Sequence, residues 1–234
     1  MNKNAMYNED LLRCAHIIGS SFRDMHDLVL SVQEFVHFNS VHGRDPDNEY
    51  HFRHDLNVKK LLLAALSSDK QKPLLTCGPR ARLMYDILRM YNITSKLLQV
   101  YTSDYEIVKG HQIIEVWNDH ESKWESWDPD FNVYYLDKKT GRHIAYDDLV
   151  FGDLEDVLPF NRNSKGWSDT GTTVLKEHYF QAIMYDFPDF HMDHSILVNK
   201  DRLNLSKRFK YGTKYMTFRE WAHDSYGFPK IVSF

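Results

Sequence analysis

Cys77 is the residue in this sequence with the clearest capacity for nucleophilic chemistry. It follows Thr76, which can cap a helix, and precedes Pro79, whose missing N–H costs nothing in a first helical turn. A cysteine at a helix start lies beside unpaired N–H groups and the positive end of the helix dipole. Both lower the thiol pKa from a free value of roughly 8.5, and the charges of Arg80 and Arg82 act in the same direction. Position alone also fits a small buried hydrophobic residue, the usual role of a free cysteine.

His111 and two aspartates supply the groups that a nucleophilic cysteine needs beside it. The polar run 118–122 predicts a hairpin turn centred near residue 120 or 121. With that register His111 lies opposite residue 130 and diagonal to residue 128, on one face of the sheet. A carboxylate is then within reach of the imidazole and can fix its tautomer, but the spacing does not separate Asp128 from Asp130. A lone histidine in a strand is more often structural, so the hypothesis depends on the three residue types together.

An amphipathic helix is predicted to carry Cys77. It begins at Thr76 and ends at Asn92, a residue that tolerates the left-handed conformation with which helices terminate. Between these two positions, apolar residues recur at intervals of three and four: Leu83, Met84, Ile87, Leu88 and Tyr91. The nucleophile is therefore expected in the first turn of a well-specified helix.

Helical patterns dominate the chain before this helix, and strand patterns follow it. Apolar faces at helical spacing occur in three earlier segments, residues 11–18, 25–36 and 56–66. Period-two patterns then predict three strands, residues 95–102, 110–117 and 123–128. Helices followed by an antiparallel sheet indicate an α+β fold.

The last third of the chain has weaker patterns. Thr140-Gly141 predicts a further hairpin, and the acidic run 147–160 is interpreted as helical. Residues 161–171 are interpreted as a loop. Basic and aromatic residues alternate over 207–215, which predicts a strand with a solvated basic edge or, alternatively, a surface for an anionic substrate. Residues 218–225 are predicted to form a short helix.

The length and composition fit one globular domain. A chain of 234 residues can bury a sizeable core, and 42% hydrophobic with 26% charged residues are ordinary values. We expect a single domain over residues 1–234. Its helical N-terminal part covers 1–70, the catalytic core covers 74–135, and an extension over 140–234 completes the sheet or forms a lobe.

Charge, cysteine content and hydropathy narrow the class of protein. The formal net charge of −4 argues against a dedicated nucleic-acid binder. We expect no membrane association, because no run reaches about 18 apolar residues, and the N-terminus lacks the pattern of a secretory signal. Two cysteines, Cys14 and Cys77, are too few for a disulfide framework, so we expect reduced thiols and a cytoplasmic location. Cys14 lies on an apolar helix face and is interpreted as inert.

The residues around the three candidate groups resemble those of the transglutaminase-like superfamily. Cys-Gly-x-x-Ala begins the predicted helix at Cys77, and a strand follows that helix from Ile93. In that family the histidine begins a strand of the form His-x-x-x-Glu-Val, as residues 111–116 do here. The aspartate ends the next strand in a Trp-x-x-x-Asp-Pro arrangement, as in residues 124–129.

The resemblance covers about residues 74–135, with the three elements in the family's order and spacing. It favours Asp128 over Asp130, because Asp128 precedes a proline. Asn92 stands where glycine is common in the family, and either residue can end the helix. The segments before residue 70 and after residue 140 resemble nothing that we can name.

The resemblance implies a papain-like core, in which the cysteine helix packs on an antiparallel sheet, and a matching mechanism. His111 takes the Cys77 proton, and the thiolate attacks an amide or thioester-like carbonyl. Water or an amine then resolves the acyl-enzyme, so the partners are an amide- or acyl-bearing small molecule, sugar or protein and an amine acceptor, without a cofactor. The Cys77 N–H is one oxyanion donor. Tyr50, His54 and Asn57 are candidates for the second.

The alternative is a binding or scaffold module that retains the fold without catalysis, since one fold hosts many functions. The joint presence of cysteine, histidine and aspartate argues against it. His191 and His194, flanked by Asp189 and Asp193, lack the spacing of a known zinc site and are interpreted as a solvated loop.

Overall fold

A computed structural model describes most of the chain. It covers residues 3–43, 54–67, 71–103, 108–161, 182–186, 195–198, 208–211, 214–226 and 230–233, with residues 201, 203 and 205. The predicted loop beyond residue 161 and the His191–His194 pair lie outside the described residues. The described part is a mixed α/β fold.

Six α-helices occur in the described part of the chain, and four of them precede the main sheet. They are α1 (Lys3–Ile18), α2 (Met25–Phe38), α3 (His54–Leu66), α4 (Cys77–Met90), α5 (Tyr146–Phe151) and α6 (Phe218–Tyr226). The three helices predicted before Cys77 are confirmed as α1, α2 and α3. No helix among the described residues is both long and apolar enough to cross a membrane.

Among the described residues, most of the strands belong to one eight-stranded sheet. The strands are β1 (Val41–His42), β2 (Leu74–Leu75), β3 (Ser95–Ser103), β4 (Val108–Asn118), β5 (Lys123–Asp128), β6 (Val133–Asp137), β7 (Val157–Phe160), β8 (Ala182–Asp186), β9 (Ser195–Val198), β10 (Arg208–Tyr211), β11 (Lys214–Thr217) and β12 (Lys230–Ser233). The sheet has the order β12-β9-β8-β3-β4-β5-β6-β7. Its β3–β8, β4–β5, β6–β7 and β8–β9 pairs are antiparallel, whereas β9 and β12 are parallel.

Helix α4 forms where the sequence predicts it. Thr76 is the N-cap in an extended conformation, and its carbonyl accepts the N–H of Arg80 at 3.2 Å. The apolar positions are buried, among them Leu83 and Ile87. Asn92 has φ 57, the left-handed conformation expected of the residue that closes the helix.

The β4–β5 hairpin has the predicted register. Asn118 pairs with Lys123 and Ile114 with Trp127, so the turn is centred between residues 120 and 121. The pairing ends at Ile114 and Trp127, so residue 130 lies in the turn after β5, and the alignment of His111 with it stays a prediction. Strand β5 has the bounds predicted from its period-two pattern.

Three later predictions are confirmed and one is partly wrong. Gly141 has φ 68 in the turn that follows β6, and β10, β11 and α6 form where strand and helix patterns occur. The acidic run 147–160 is helical at its start in α5 and again in a 3₁₀ helix at Leu154–Asp156, whereas its last four residues form β7. β7 lies at the end of the strand order, where Pro159 is tolerated.

The chain divides into two compact units, and the division falls within β3 and β4. The first unit comprises Met1–Ser95 with Ile113–Val133, and the second comprises Lys96–Gln112 with Tyr134–Phe234. In the first unit α1 packs against α3 and α4, and α2 packs against α4. The second unit includes an apolar cluster in which β9, β10, β11 and α6 contribute Ile196, Val198, Phe209, Met216, Phe218 and Ala222, with Leu203.

Candidate active site

The half-buried free thiol of Cys77 occupies the first position of α4, directly after its N-cap. The N-cap and the first helical positions lack intrahelical partners for their N–H groups, so this end of α4 favours negative charge. The sequence places the residue there because Leu74–Leu75 forms β2 and the chain then turns into the helix at Thr76. The predicted position of Cys77 in the first turn of the helix is therefore confirmed.

Cys77, His111 and Asp130 are grouped in space. The Cys77 Sγ, one ring nitrogen of His111 and one carboxylate oxygen of Asp130 all lie within 4.8 Å of one another. His111 is two residues before Ile113 in the continuous strand β4, and its side chain is buried. A thiol, an imidazole and a carboxylate at this separation are the three groups that a Cys-His-Asp mechanism requires.

Asp128 is buried at the end of β5, and its carboxylate organises the turn that follows. Its Oδ1 accepts the backbone N–H groups of Asp130 at 3.0 Å and of Phe131 at 3.1 Å. Asn132 ends the turn with φ 54. Asp128 is not a member of the group within 4.8 Å, which contains Asp130 instead. Its role as the carboxylate that orients His111 stays a prediction.

Side chains of helix α2 also form hydrogen bonds with this turn. Gln33 Nε2 donates to Asn132 Oδ1 at 3.3 Å, and His37 Nδ1 donates to the carbonyl of Pro129 at 3.2 Å. Burial, followed by the positive charge of Arg80, lowers the pKa of His37. A neutral His37 with its proton on Nδ1 fits this contact, because a carbonyl only accepts.

Arg80, one turn after Cys77 on α4, forms a buried ion pair with Asp130. Its Nη1 donates to the Asp130 backbone carbonyl and to Oδ1, each at 2.9 Å, and its Nε donates to Ser40 Oγ at 3.0 Å. Burial lowers the pKa of Arg80, while the charges of Asp130, Asp128 and Cys77 act in the opposite direction. Arg80 therefore offsets part of the negative charge that two aspartates would otherwise bring near a thiolate.

His42 also contacts Asp130, and sequence reasoning missed it. Its Nδ1 lies 2.8 Å from Asp130 Oδ1. The residue is in β1, which pairs in parallel with β2, so that His42 lies opposite Leu75. The signal in the sequence is too short to find, because each of the two strands has only two residues. Ser40, whose Oγ accepts from Arg80 Nε, was also missed.

The three oxyanion candidates have different outcomes. Tyr50 lies outside the described residues, and His54 is the first residue of α3. Asn57 is buried on α3, which packs against α4, and neither its Nδ2 nor its Oδ1 has a hydrogen-bond partner among the residues that the structure describes. A buried amide without partners is costly unless a ligand or water satisfies it. The Asn57 amide therefore has a donor available for an acceptor such as an oxyanion.

The grouped side chains have two possible uses. Cysteine, histidine and carboxylate are the groups of a nucleophile, a base and its partner, and they are also ligand types that Zn²⁺ takes. Three protein ligands would leave one position for water. Comparison of the chain with models of known protein families and with curated proteins finds no match.

Proposed function

We propose that this protein is a transglutaminase-like thiol enzyme that acts on an amide or acyl group through an acyl-enzyme at Cys77. The grouping of the Cys77 thiol, the His111 imidazole and the Asp130 carboxylate within 4.8 Å carries the proposal. The resemblance of residues 74–135 to the superfamily supports it. A reducing compartment such as the cytoplasm would keep both thiols free.

The first half-reaction uses His111 as the base. His111 removes the proton from Cys77, the sulfur attacks the carbonyl carbon, and the leaving amine takes the proton as its bond to carbon breaks. In the papain-like arrangement that the resemblance implies, Asp128 orients the imidazole. The Cys77 N–H and the Asn57 amide are the oxyanion donors that we propose. In the second half-reaction water gives hydrolysis and an amine gives acyl transfer.

The rate of iodoacetamide alkylation against pH, followed by mass spectrometry, tests the thiol–imidazole pair. Cys77 should be alkylated much faster than Cys14 near neutral pH, because a thiolate is the reactive form, and His111→Ala should remove that advantage. Cys14 is the control within the same chain, because burial raises the pKa of its thiol to about 12. If Cys77 reacts no faster than Cys14 and is indifferent to His111, the protein is a binding or scaffold module instead.

A zinc site is a second candidate function, because the same three side chains lie close enough to bind one ion after small movements. Titration with Zn²⁺ and measurement of the bound metal, in wild type and in Cys77→Ala, would test it. Tight binding of one ion that Cys77→Ala abolishes, with alkylation fast only after chelation, would support a metal centre. Alkylation that is equally fast with and without a chelator favours the thiol enzyme.

A further inference from the structure

A short parallel ladder brings a second histidine to the neighbourhood of Cys77. Val41 pairs with Leu74 and His42 with Leu75, two residues before the nucleophile. The Val41 N–H donates to the Pro73 carbonyl at 2.9 Å, and the Gly43 N–H donates to the Leu75 carbonyl at 3.3 Å. The register of the ladder therefore fixes the distance of His42 from the start of α4.

His42 and Asp130 form a pair with unequal exposure. The His42 side chain is 62% exposed and the Asp130 side chain 2% exposed. The carboxylate is held in place by Arg80, whose guanidinium is equally buried. The same carboxylate has an oxygen within 4.8 Å of the Cys77 sulfur. The buried Asp130 carboxylate therefore lies near the Cys77 sulfur and also contacts the solvent-exposed imidazole of His42.

The orientation of the His42 ring follows from its contact. A carboxylate only accepts hydrogen bonds, so the His42 nitrogen Nδ1 carries the proton that Asp130 receives. In a neutral ring the lone pair is then on Nε2, which is the base in a histidine–aspartate pair of this kind. The buried His111 is suited to the proton of the thiol. The exposed His42 is suited to a proton that arrives with a molecule from solvent.

We propose that His42, positioned by Asp130, is the general base for the second half-reaction. The inference rests on the proposed acyl-enzyme. His42 Nε2 takes a proton from water or a primary amine as its oxygen or nitrogen bonds to the acyl carbon. The carbon–sulfur bond then breaks, the electron pair returns to Cys77 as a thiolate, and His42 releases its proton to solvent. The two half-reactions thus use different histidines.

The test is the decay of a preformed acetyl-enzyme. Cys77 is acetylated with p-nitrophenyl acetate, excess reagent is removed, and the loss of the acetyl mass is followed in buffer and with added glycinamide. The informative variant is His42→Asn, whose amide nitrogen can still donate to Asp130 but which has no basic nitrogen. His120→Asn is the matched control, because His120 is exposed in the β4–β5 turn.

His42→Asn should be acetylated at the wild-type rate and should lose the acetyl group on the order of 10²-fold more slowly, the lower end of general-base effects. His42→Ala should be acetylated normally and should also lose the acetyl group slowly. Added free imidazole should restore part of that rate, whereas it would not restore a rate lost through a purely structural defect. Asp130→Asn should slow the loss of the acetyl group by a smaller factor than His42→Asn does. Hydroxylamine, a nucleophile that needs no base, should remove the acetyl group equally fast from wild type and His42→Asn.

The possible failures can be told apart. If wild-type Cys77 is not acetylated faster than Cys14, the thiol-enzyme proposal fails, and this inference fails with it. If Cys77 is acetylated but His42→Asn loses the acetyl group as fast as wild type with both water and glycinamide, only the role of His42 is overturned.

Discussion

Cys14 and Cys77 lie on two helices that pack against each other, α1 and α4, in opposite surroundings. Cys14 is fully buried on α1, and burial, together with the negative charge of Asp10, raises its pKa to about 12. Cys77 is half-buried at the start of α4, where a helix end, an imidazole and a neutralised carboxylate surround it.

The position of each cysteine within its helix therefore decides how far its thiolate is stabilised. Both helices are amphipathic and both contribute apolar side chains to the first unit. In the middle of α1 the N–H groups are already paired within the helix, and burial disfavours a thiolate at Cys14. At the start of α4 those groups lack intrahelical partners, and Arg80 brings positive charge one turn later.

The largest loss of Cys77 reactivity is expected from substitutions of the aspartates beside α4. Asp128→Asn should lower the rate of Cys77 acetylation by about 10²- to 10⁴-fold, the range of triad carboxylate-to-amide changes and of lost general-base catalysis. The asparagine oxygen can still accept the N–H groups of Asp130 and Phe131, so the turn should persist. Asp130→Asn should change the acetylation rate less than about tenfold. The opposite order of the two variants would assign the orientation of His111 to Asp130.

The buried ion pair on α4 and the exposed pair on α1 should differ in their contribution to stability. Arg80→Met leaves the Asp130 carboxylate buried without its partner and should lower the free energy of unfolding by about 3–5 kcal/mol. The control is Arg13→Met on α1, where Arg13 is 61% exposed and pairs with Glu9, and it should change less than about 1 kcal/mol. Urea unfolding of the two variants measures both, and equal losses would contradict the assigned role of Arg80.

The Cys14 thiol should contribute to a loss of stability at alkaline pH. Its raised pKa keeps the thiol protonated in the folded state, whereas the unfolded thiol ionises near its ordinary value of 9.0. Between those two pKa values the unfolded state binds fewer protons, so the free energy of unfolding falls as pH rises, by up to about 1.4 kcal/mol per pH unit.

The variant Cys14→Ala should lack that contribution. Urea unfolding of wild type and variant between about pH 8 and pH 10 measures this contribution. The difference in their free energies of unfolding should become smaller as pH rises. The alkylation rate of Cys77 should be the same in both proteins. A constant difference in stability would mean that Cys14 titrates as an ordinary thiol.

The smallest effects are expected where the two helices end. Gly19, after α1, has φ 99, and Asn92, after α4, has φ 57. Gly19→Ala forces an L side chain into this region and should cost about 1 kcal/mol. Asn92→Gly should change stability by only a few tenths of a kcal/mol, because both residues adopt that conformation readily. Thermal unfolding of the two variants would show whether the order is reversed.

The parts of the structure that were predicted are those that local patterns specify. The bounds of α4, the register of β4 with β5 and the left-handed Asn92 follow from periodicity and turn residues within about 20 neighbouring positions. The position of Cys77 at the start of α4 follows in turn. The resemblance added the choice of Asp128, which the spacing left open.

The rest depends on contacts between distant segments, which no local pattern contains. His42 approaches Asp130 only because a two-residue strand pairs with another about 30 residues later. Arg80 was interpreted as a charge beside the thiol, but it is a buried partner of Asp130. Acidic residues and apparent helical character likewise did not reveal that residues 157–160 would pair with β6.

The Arg80 network also has a consequence for the order in which the protein folds. It joins Ser40 and Asp130, which are 40 and 50 residues away from Arg80 along the chain. Closing such long loops costs chain entropy before the contacts compensate for it, whereas a helix such as α4 can form early. During refolding Cys77 should therefore pass through a stage at which its helix exists and its carboxylate is not yet in place. Thiol reactivity is then expected to be among the last properties of the native protein to return.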